Sequence, residues 1–454
     1  MWRISDSNEE SVILEKIKRR RQCDNQTEQN DENEVSEDKL SDLPDGVLLH
    51  ILSFLNTKHV VRTCVLSTRW KHLWKRTPAL TLYASRFSIS KQFPIFVYKI
   101  LTLRDTSTAL HALDLDCGGV IEPPLLRKIL NYICSHTTHL QELGISVIGD
   151  TDLVMSCVSL CRALTSLKLS LYPRGRYNST KTLFPNFLNL PALTSLDLTS
   201  FTFCGGENGC AEPFLAFNRL NSLIIDRCTV KDGQTLNISS ETLVNLAMHH
   251  NSPDFDKIEL YSPSLCTFTF TGSPYQQICG GGLSSVKQVN IDAKHFLTWE
   301  KLSMVLLSWL TDFTNVKSLT VSSITLQILS LVPDLLEVKL HSLCNLKSLE
   351  VELTPLHRRL ELPIIKNLML KKAAAKSRKE VAKLRKAFKA GLKPPPIPDG
   401  IVGFLLQNSP SAKVDFTTKY PGTFKLKQDD KLSNEDKVEN HQSNSNSPLL
   451  DNGQ

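Results

Sequence analysis

The sequence predicts an α/β protein in which a small three-helix unit precedes an irregular solenoid, with parallel strands inside and helices outside. Two observations support this. Three short helical patterns are packed into residues 38–78, and the phrase L-x-x-L-x-L returns repeatedly from residue 110 onward. At 454 residues with 41% hydrophobic side chains, the chain has room for two or three domains and a large core.

The first helical pattern carries more apolar surface than a small unit can bury. Ser41 and Asp42 offer N-cap oxygens, and Pro44 suits the first helical position. Thr57 opens a second helix and Ser67 caps a third. No cysteine pair or His/Cys cluster is available to stabilise this unit of about forty residues through a disulfide or a metal. The apolar surface that the unit cannot bury by itself therefore predicts a protein partner. The apolar residues of the first helix are Val47, Leu48, Ile51, Leu52, Phe54 and Leu55.

The same residues resemble an F-box of the plant type. The resemblance rests on Leu43-Pro44-Asp45, Val47-Leu48, Ile51-Leu52-Ser53-Phe54-Leu55, Val65-Leu66-Ser67, Arg69-Trp70 and Leu73-Trp74. It implies that the helices dock on a Skp-family adaptor, which attaches the protein to a cullin-based ubiquitin ligase. The alternative is a helical cap for the next domain. The adaptor contacts implied by motif position are Leu43, Pro44, Leu48, Ile51, Trp70 and Trp74.

The repeated phrase predicts leucine-rich repeats, because its spacing lies mostly in the twenties and reaches thirty. Each phrase is expected to form a short parallel strand whose alternate apolar residues point into the stack; the alternative is unrelated strands in a mixed sheet. The phrases occur at Leu110/Leu113/Leu115, Leu140/Leu143/Ile145, Leu164/Leu167/Leu169, Leu193/Leu196/Leu198, Leu220/Leu223/Ile225, Leu243/Leu246, Leu265/Phe268/Phe270, Val286/Val289/Ile291, Val316/Leu319/Val321 and Leu346/Leu349/Val351.

The stretches between phrases are expected to form the outer helices, notably Leu183–Phe187 and Trp299–Leu310. A further match at residues 335–340 lies too close to the next phrase for a separate coil, so residues 326–336 are also predicted as an outer helix. Cys228 stands where a Cys or Asn side chain ties the turn of a repeat. Most repeats lack that residue, which predicts an uneven solenoid.

The order of these parts resembles the plant F-box/LRR proteins, many of which end in a module called FBD. Residues 401–416 resemble the last helix and strand of that module, whereas the Lys-rich stretch before them departs from its pattern. The predicted domains are a disordered tail at 1–37, the F-box at 38–78, the solenoid at 79–365, a basic helix with an FBD-like segment at 366–416, and a disordered tail at 417–454.

Two basic segments stand out in a chain with a net charge of +7. Residues 371–393 hold ten basic side chains and one acidic, and they place Val381, Leu384, Phe388 and Leu392 on one helical stripe. Three interpretations stay open: a helix docked on the last repeats, a nuclear or RNA-contacting patch, and a membrane-surface or calmodulin-like target. The second segment is a nuclear import candidate comprising Lys16, Lys18, Arg19, Arg20 and Arg21.

Other classes of function find no support in the sequence. The longest apolar stretches fall far short of a membrane span, and twelve scattered cysteines without C-x-x-C spacing indicate a reducing compartment, the nucleus or the cytoplasm. His249, His250 and Asp254 are not expected to bind a metal, because adjacent strand residues face opposite sides. No phosphate-binding, dinucleotide or hydrolase motif is present, so no catalytic residue or cofactor is expected.

These observations predict a non-catalytic, substrate-recruiting subunit of a Skp/cullin/F-box ubiquitin ligase, with the repeats holding a target protein that the sequence does not identify. Neither a membrane nor nucleic acid is expected as a partner. The alternative is a nuclear leucine-rich-repeat scaffold that contacts nucleic acid through residues 371–393 and has a non-functional F-box.

Overall fold

The computed structural model describes residues 43–87, 91–174, 181–294, 299–354, 361–391 and 397–418. The chain divides into two compact units, residues 1–78 and 79–454, and each is described by itself. Ser41, Asp42, the predicted tail at 1–37 and most of the predicted tail at 417–454 lie outside the described residues. So does the nuclear import candidate, which stays a prediction: Lys16, Lys18, Arg19, Arg20 and Arg21.

Three helices form the described part of the first unit: α1 (Asp45–Ser53), α2 (Thr57–Arg62) and α3 (Trp70–Leu73). Single 3₁₀ turns at Thr63–Val65 and Trp74–Arg76 extend the second and third helices. The three-helix expectation is therefore confirmed.

The helix starts differ in detail from the sequence expectation. Pro44 is the N-cap of α1 and not its first helical residue; its carbonyl accepts bonds from the amides of Val47 and Leu48 at 3.0 and 3.1 Å. The Asn56 side chain caps α2 by accepting a bond from the His59 amide at 3.1 Å. These caps satisfy amides that a helix start leaves without intrahelical partners.

Among the described residues of the second unit, twelve parallel strands form one continuous sheet, and their order in the sheet follows their order in the chain. Each strand pairs with the next one along the chain, which is the arrangement of a solenoid. The strands are β1 (Ala79–Tyr83), β2 (Ala112–Val120), β3 (Glu142–Gly149), β4 (Ser166–Pro173), β5 (Ser195–Thr199), β6 (Ser222–Asp226), β7 (Asn245–His249), β8 (Thr267–Gly272), β9 (Gln288–Ala293), β10 (Ser318–Ser322), β11 (Ser348–Leu353) and β12 (Lys413–Thr418).

All ten predicted phrases coincide with strands β2 to β11, so the repeat prediction is confirmed and the mixed-sheet alternative is wrong. Equivalent leucines share a register position: Leu196 pairs with Leu223, and Leu223 pairs with Leu246. These side chains are essentially inaccessible to solvent. The core is therefore a stack of aligned apolar rows, which each coil completes only with its neighbours.

The turns after β5, β6 and β7 repeat one conformation. Ser200, Arg227 and His250 each have a positive φ, between 47° and 64°, and their amides donate to carbonyls of the following strand at 2.7 to 2.8 Å. After β6, the buried Cys228 occupies the turn as predicted; its amide donates to the Asn251 side chain at 2.9 Å. The backbone hydrogen bonds between neighbouring coils thus continue into the turn and do not stop at the last residue of the strand.

Helices connect the first coils and the last ones. The first group comprises α4 (Gln92–Leu103), α5 (Pro123–Cys134) and α6 (Thr151–Val158). The second comprises α7 (Trp299–Asp312) and α8 (Ser323–Leu329). The outer helix expected at 299–310 is confirmed. The one expected at 326–336 is misplaced: α8 ends at Leu329, and residues 335–337 form a single 3₁₀ turn.

The middle coils contradict the expectation of outer helices. Residues 183–187 were expected to form one, but they begin with a short strand and hold no helix. The strands that form there, such as Phe201–Cys204 and Thr229–Lys231, carry Thr, Val and Phe, which favour extended backbone. They build two small parallel sheets, one from Thr182–Leu183, Phe201–Cys204 and Thr229–Lys231, the other from Cys210–Ala211, Thr235–Ser239, Lys257–Tyr261 and Gln277–Cys279.

The C-terminal segment continues the solenoid sheet. Residues 401–416 were expected to supply a helix and a strand, and the structure has α11 (Ile401–Leu405) followed by β12, which pairs in parallel with β11. The Ser409 hydroxyl donates to the Leu343 carbonyl at 2.7 Å, holding the connection in place. The sheet therefore extends beyond the predicted solenoid limit of 365 and two residues into the predicted tail.

The basic segment contains two helices where one was expected, α9 (Glu361–Lys376) and α10 (Arg378–Lys389). The break falls at Ser377, whose hydroxyl caps α10 by accepting from the Glu380 amide at 3.2 Å. Three members of the predicted stripe, Val381, Leu384 and Phe388, are half-buried, and α10 packs on α9; the fourth, Leu392, lies outside the described residues. The Lys366 ammonium lies 5.3 Å from the Phe388 ring centroid. The stripe thus has a partner within the segment itself.

Candidate functional site

The six predicted adaptor contacts divide into two groups in the structure. Leu48, Trp70 and Trp74 are buried, with at most 8% of their surface exposed. They form the core of the three-helix unit, because they occupy the inner faces of α1 and of the third helix. Leu43 is half-buried, Pro44 is exposed and Ile51 is 38% exposed. Direct contact with an adaptor stays a prediction for the whole set, and the accessible members are the ones that can make it without rearrangement.

Other apolar side chains of the unit are more exposed than those predicted. Phe54 is 76% exposed and Val65 is 70% exposed, values that a small soluble domain rarely leaves uncovered in a group. We call the group the exposed apolar set; it comprises Val47, Ile51, Phe54, Leu55, Val65 and Leu66. The sequence could have indicated this exposure, since a helix without a polar face in a single-layer unit must expose one apolar side.

Asp45 ties the start of α1 to the third helix. Its carboxylate accepts from the Arg69 Nε at 2.9 Å and from the Arg76 guanidinium at 3.0 Å. The Arg69 guanidinium also donates to the Leu43 carbonyl. The hydrogen bond from Arg69, aided by the charges of both arginines, lowers the pKa of Asp45 below its ordinary value of 3.8. This clamp fixes the backbone that presents Leu43 and Pro44.

We expect the clamp to make α1 sensitive to acid. Because the folded-state pKa of Asp45 is lowered, its stabilising effect is complete above the ordinary carboxyl pKa and is lost as pH falls through the lowered value. At neutral pH, Asp45→Asn should therefore accelerate amide hydrogen exchange in α1, and the difference from the unmodified chain should shrink as the pH falls below the ordinary carboxyl pKa and through the lowered one. Equal exchange rates at neutral pH would show that the clamp is not stabilising, and Asp152→Asn, in the first turn of α6, serves as the control.

The open face of the solenoid sheet is lined by the strand residues that alternate with the buried leucines. Tyr83 donates to Asp114 there, and Lys168 lies 3.4 Å from Asp197. Carboxylates outnumber lysines among the described residues of this face. The acidic residues are Asp114, Asp116, Glu142, Asp197, Asp226, Asp292, Glu350, Glu352 and Asp415, and the lysines are Lys168 and Lys413.

One cluster on this face lies where β6 and β7 end. Asp226 accepts from Arg227 at 2.9 Å and lies 3.3 Å from the His250 ring. Burial lowers the pKa of the neighbouring His249, which favours its neutral form. These groups satisfy one another and present donors and acceptors to solvent, an arrangement suited to holding a polar protein surface.

Across the described residues, no three His, Cys, Asp or Glu side chains are grouped to hold a metal ion. Likewise, no helix within those ranges is both long and apolar enough to cross a bilayer.

A three-helix unit with exposed apolar side chains is followed along the chain by a solenoid of leucine-bearing parallel strands, which is the order of parts expected for an F-box with leucine-rich repeats. Residues 40–80 match the family model of the F-box domain. The match covers all three helices and the exposed apolar set.

The chain is similar to several proteins of Arabidopsis thaliana over most of its length. It is 28% identical to the F-box/LRR-repeat protein At4g14096 over 333 residues, 70% of this chain and 68% of that protein. It is 28% identical to the F-box/LRR-repeat protein At4g14103 over 347 residues, 70% and 86% of the two chains. It is 27% identical to the F-box/FBD/LRR-repeat protein At5g44980 over 315 residues, 64% and 69% respectively.

Proposed function

We propose that this chain is a substrate-recruiting subunit of a Skp/cullin/F-box ubiquitin ligase. The F-box binds a Skp-family adaptor and through it a cullin, and the solenoid holds a target protein. The chain itself performs no chemistry. The exposed apolar set of the F-box is the observation that carries this proposal.

The extent of the exposed apolar surface indicates that a protein partner covers it, and that it is not left in contact with water. Four of the six side chains belong to α1 and the residues that end it, at positions 47, 51, 54 and 55, so they follow one side of the helix. On the adjacent side of α1, Leu48 and Leu52 fill the core. An α-helix that is apolar on both sides is stable in water when a second protein covers the outer side.

The solenoid supports the recruiting half of the proposal. A target bound to the sheet is held near the ligase, so the effective concentration of the target at the ligase rises. Ubiquitin transfer to it then becomes nearly intramolecular. Such a role requires a rigid surface with polar contacts and no nucleophile. The open face meets this requirement, because its side chains stand on paired strands with a fixed register.

We also propose that α11 and β12 form the end of an FBD-like module that closes the sheet. They provide the helix and strand that the resemblance implies, and a relative of similar length carries FBD in its name. In this role β12 covers the edge of β11, which would otherwise leave a row of unpaired backbone groups.

Copurification tests the adaptor half of the proposal. The full chain, expressed with a plant Skp-family adaptor and a cullin, should elute with both from an affinity column and a sizing column. The solenoid alone, residues 79–454, is the matched control and should elute without them. Recovery of the full chain free of adaptor at micromolar concentrations would overturn the ligase proposal.

The alternative, a nucleic-acid scaffold, has one observation in its favour. The basic side chains of α10 are exposed while its apolar stripe faces α9, so the charges are free to meet phosphates. Binding of this kind falls steeply as salt rises. Salt-sensitive capture of RNA or DNA by the full chain, lost on changing Lys379, Lys383 and Lys386 to Glu, would support it.

Changing Val381, Leu384 and Phe388 together to Ser tests whether the stripe holds α10 to α9, and it keeps every charge. We expect α10 to detach, because each half-buried side chain contributes about 1 kcal/mol to the contact. Hydrogen exchange in residues 378–389 should become fast while the strands of the main sheet keep their protection. The matched control is Ala382→Ser, on the exposed side of α10. Unchanged protection of α10 would contradict the pairing.

A further inference from the structure

Three cysteines lie together where α5 ends beside α6. Cys134 is the last residue of α5 and is exposed, whereas Cys157 in α6 and Cys161 just beyond it are buried. The Cys134 thiol contacts the Cys157 sulfur at 3.3 Å. A disulfide needs its sulfurs about 2.05 Å apart, so closing the bond requires the two sulfurs to approach by roughly 1.2 Å.

We propose that Cys134 and Cys157 form a redox-active thiol pair that closes a disulfide between α5 and α6 when the protein meets a peroxide. The two roles follow from exposure. Cys134 is the thiol that a dissolved oxidant reaches, and Cys157 is the nearest thiol that can resolve the product. Cys161 is fully buried, and its thiol donates to the Cys157 carbonyl at 3.4 Å.

The chemistry balances with hydrogen peroxide as the oxidant. The Cys134 thiolate attacks one peroxide oxygen; a sulfur–oxygen bond forms, the oxygen–oxygen bond breaks, and hydroxide leaves. The Cys157 sulfur then attacks the sulfenic sulfur, forming the disulfide and displacing a second hydroxide. The two thiol protons end on these hydroxides, so two thiols are oxidised and one peroxide is reduced to two waters.

The environment of Cys157 predicts that the second step is slow. The hydrogen bond with the Cys161 thiol, together with burial, raises the pKa of Cys157, so its reactive thiolate form is scarce at neutral pH. A sulfenic acid should therefore accumulate on Cys134 before the disulfide closes. Raising the pH should speed the closure.

The disulfide would be a covalent cross-link between neighbouring coils. Helix α5 connects β2 to β3, and α6 connects β3 to β4. A cross-link between them restricts the unfolded chain, which raises stability. Because both helices are outside the sheet and away from its open face, the cross-link leaves the strand residues of that face free.

Mass spectrometry of the full chain after peroxide treatment tests the proposal. Trypsin does not cut between the two cysteines, so the digest needs a second protease that cuts after Glu142. We expect a cross-linked peptide pair joining Cys134 to Cys157, an intact mass lower by two hydrogen atoms, and a melting temperature about 4 °C higher, all reversed by dithiothreitol. Trapping with dimedone should label Cys134 at early times.

Three variants separate the roles. Cys157→Ser should prevent the cross-link and leave the dimedone adduct on Cys134 long-lived, whereas Cys134→Ser, at an exposed position, should abolish both. Cys161→Ser should still form the disulfide. Cys344→Ser, at an exposed cysteine elsewhere, is the control and should behave as the unmodified chain. The proposal is overturned if peroxide oxidises Cys344 in the folded chain while Cys134 and Cys157 stay unlinked, or if the cross-link joins Cys157 to Cys161.

Discussion

Replacing Ile51 and Phe54 together by Asp should abolish capture of a Skp-family adaptor while leaving the chain folded. Both side chains are exposed, at 38% and 76%, so the change costs little within the F-box itself. In a complex, the same change would remove two apolar anchors and bury two charges. Loss of a single desolvated anchor typically costs about 2 kcal/mol, a roughly thirtyfold loss of affinity, and the double change should exceed this.

The measurement is a titration of the adaptor against the full chain, with the melting temperature recorded in parallel. Leu160→Asp is the matched control, because Leu160 is also an exposed apolar side chain but lies in the solenoid, at 60% exposure. That variant should bind as the unmodified chain does. Adaptor binding within threefold of normal in the double variant would mean that the exposed apolar set is not the docking surface.

The repeats could be predicted from sequence because their signal is local and recurs in register. Each phrase places apolar residues at alternate positions of one strand, and the strand pairs with the equivalent strand of the next coil. Leu196, Leu223 and Leu246 illustrate this: the same position in three phrases becomes one buried row. The F-box helices were predictable for a similar reason, since their apolar spacing lies within a few residues, although the capping residues differ in detail from the expectation.

The connections were less predictable, because tertiary contacts decide them. Phe184, Phe201, Phe203 and Phe214 form an aromatic cluster with ring centroids 5.4 to 6.5 Å apart, and this packing holds the middle connections extended. No local spacing reveals such a cluster. The same holds for β12, which joins β11 although almost sixty residues separate the two strands.

The motif alone could not say which F-box residues are buried in the three-helix unit and which are accessible. A sequence motif marks positions where particular residue types recur. Such a residue can be required for packing inside the domain or for contact with a partner, and the motif does not distinguish the two. Trp70 and Trp74 matter to the fold, since they are buried in the three-helix unit, while the more exposed Phe54 and Val65 were not among the predicted contacts. Exposure in the folded unit shows which of these positions an adaptor can reach without rearrangement.

Replacing Leu223 by Asp should unfold the solenoid. Leu223 is fully buried in β6, and its register partners on both sides are the buried Leu196 and Leu246. An Asp there has no basic partner, so it must either bury a charge or take up a proton, and we expect a loss of about 4 kcal/mol or more. Because each coil stabilises its neighbours, the loss should spread along the stack. The chain should become insoluble or lose its cooperative melting transition.

Ala247→Asp is the matched control for this change. It introduces the same side chain one strand along, but on the open face, where its register partners Ile224 and Thr269 carry no charge. The control should stay soluble and melt within about 3 °C of the unmodified chain, since surface substitutions rarely cost more than 0.5 kcal/mol or so. The contrast between positions 223 and 247 tests the alternation of the strands directly. A soluble Leu223→Asp chain with normal melting would require that β6 face the other way, which would place its leucines on the target-binding surface and not in the core.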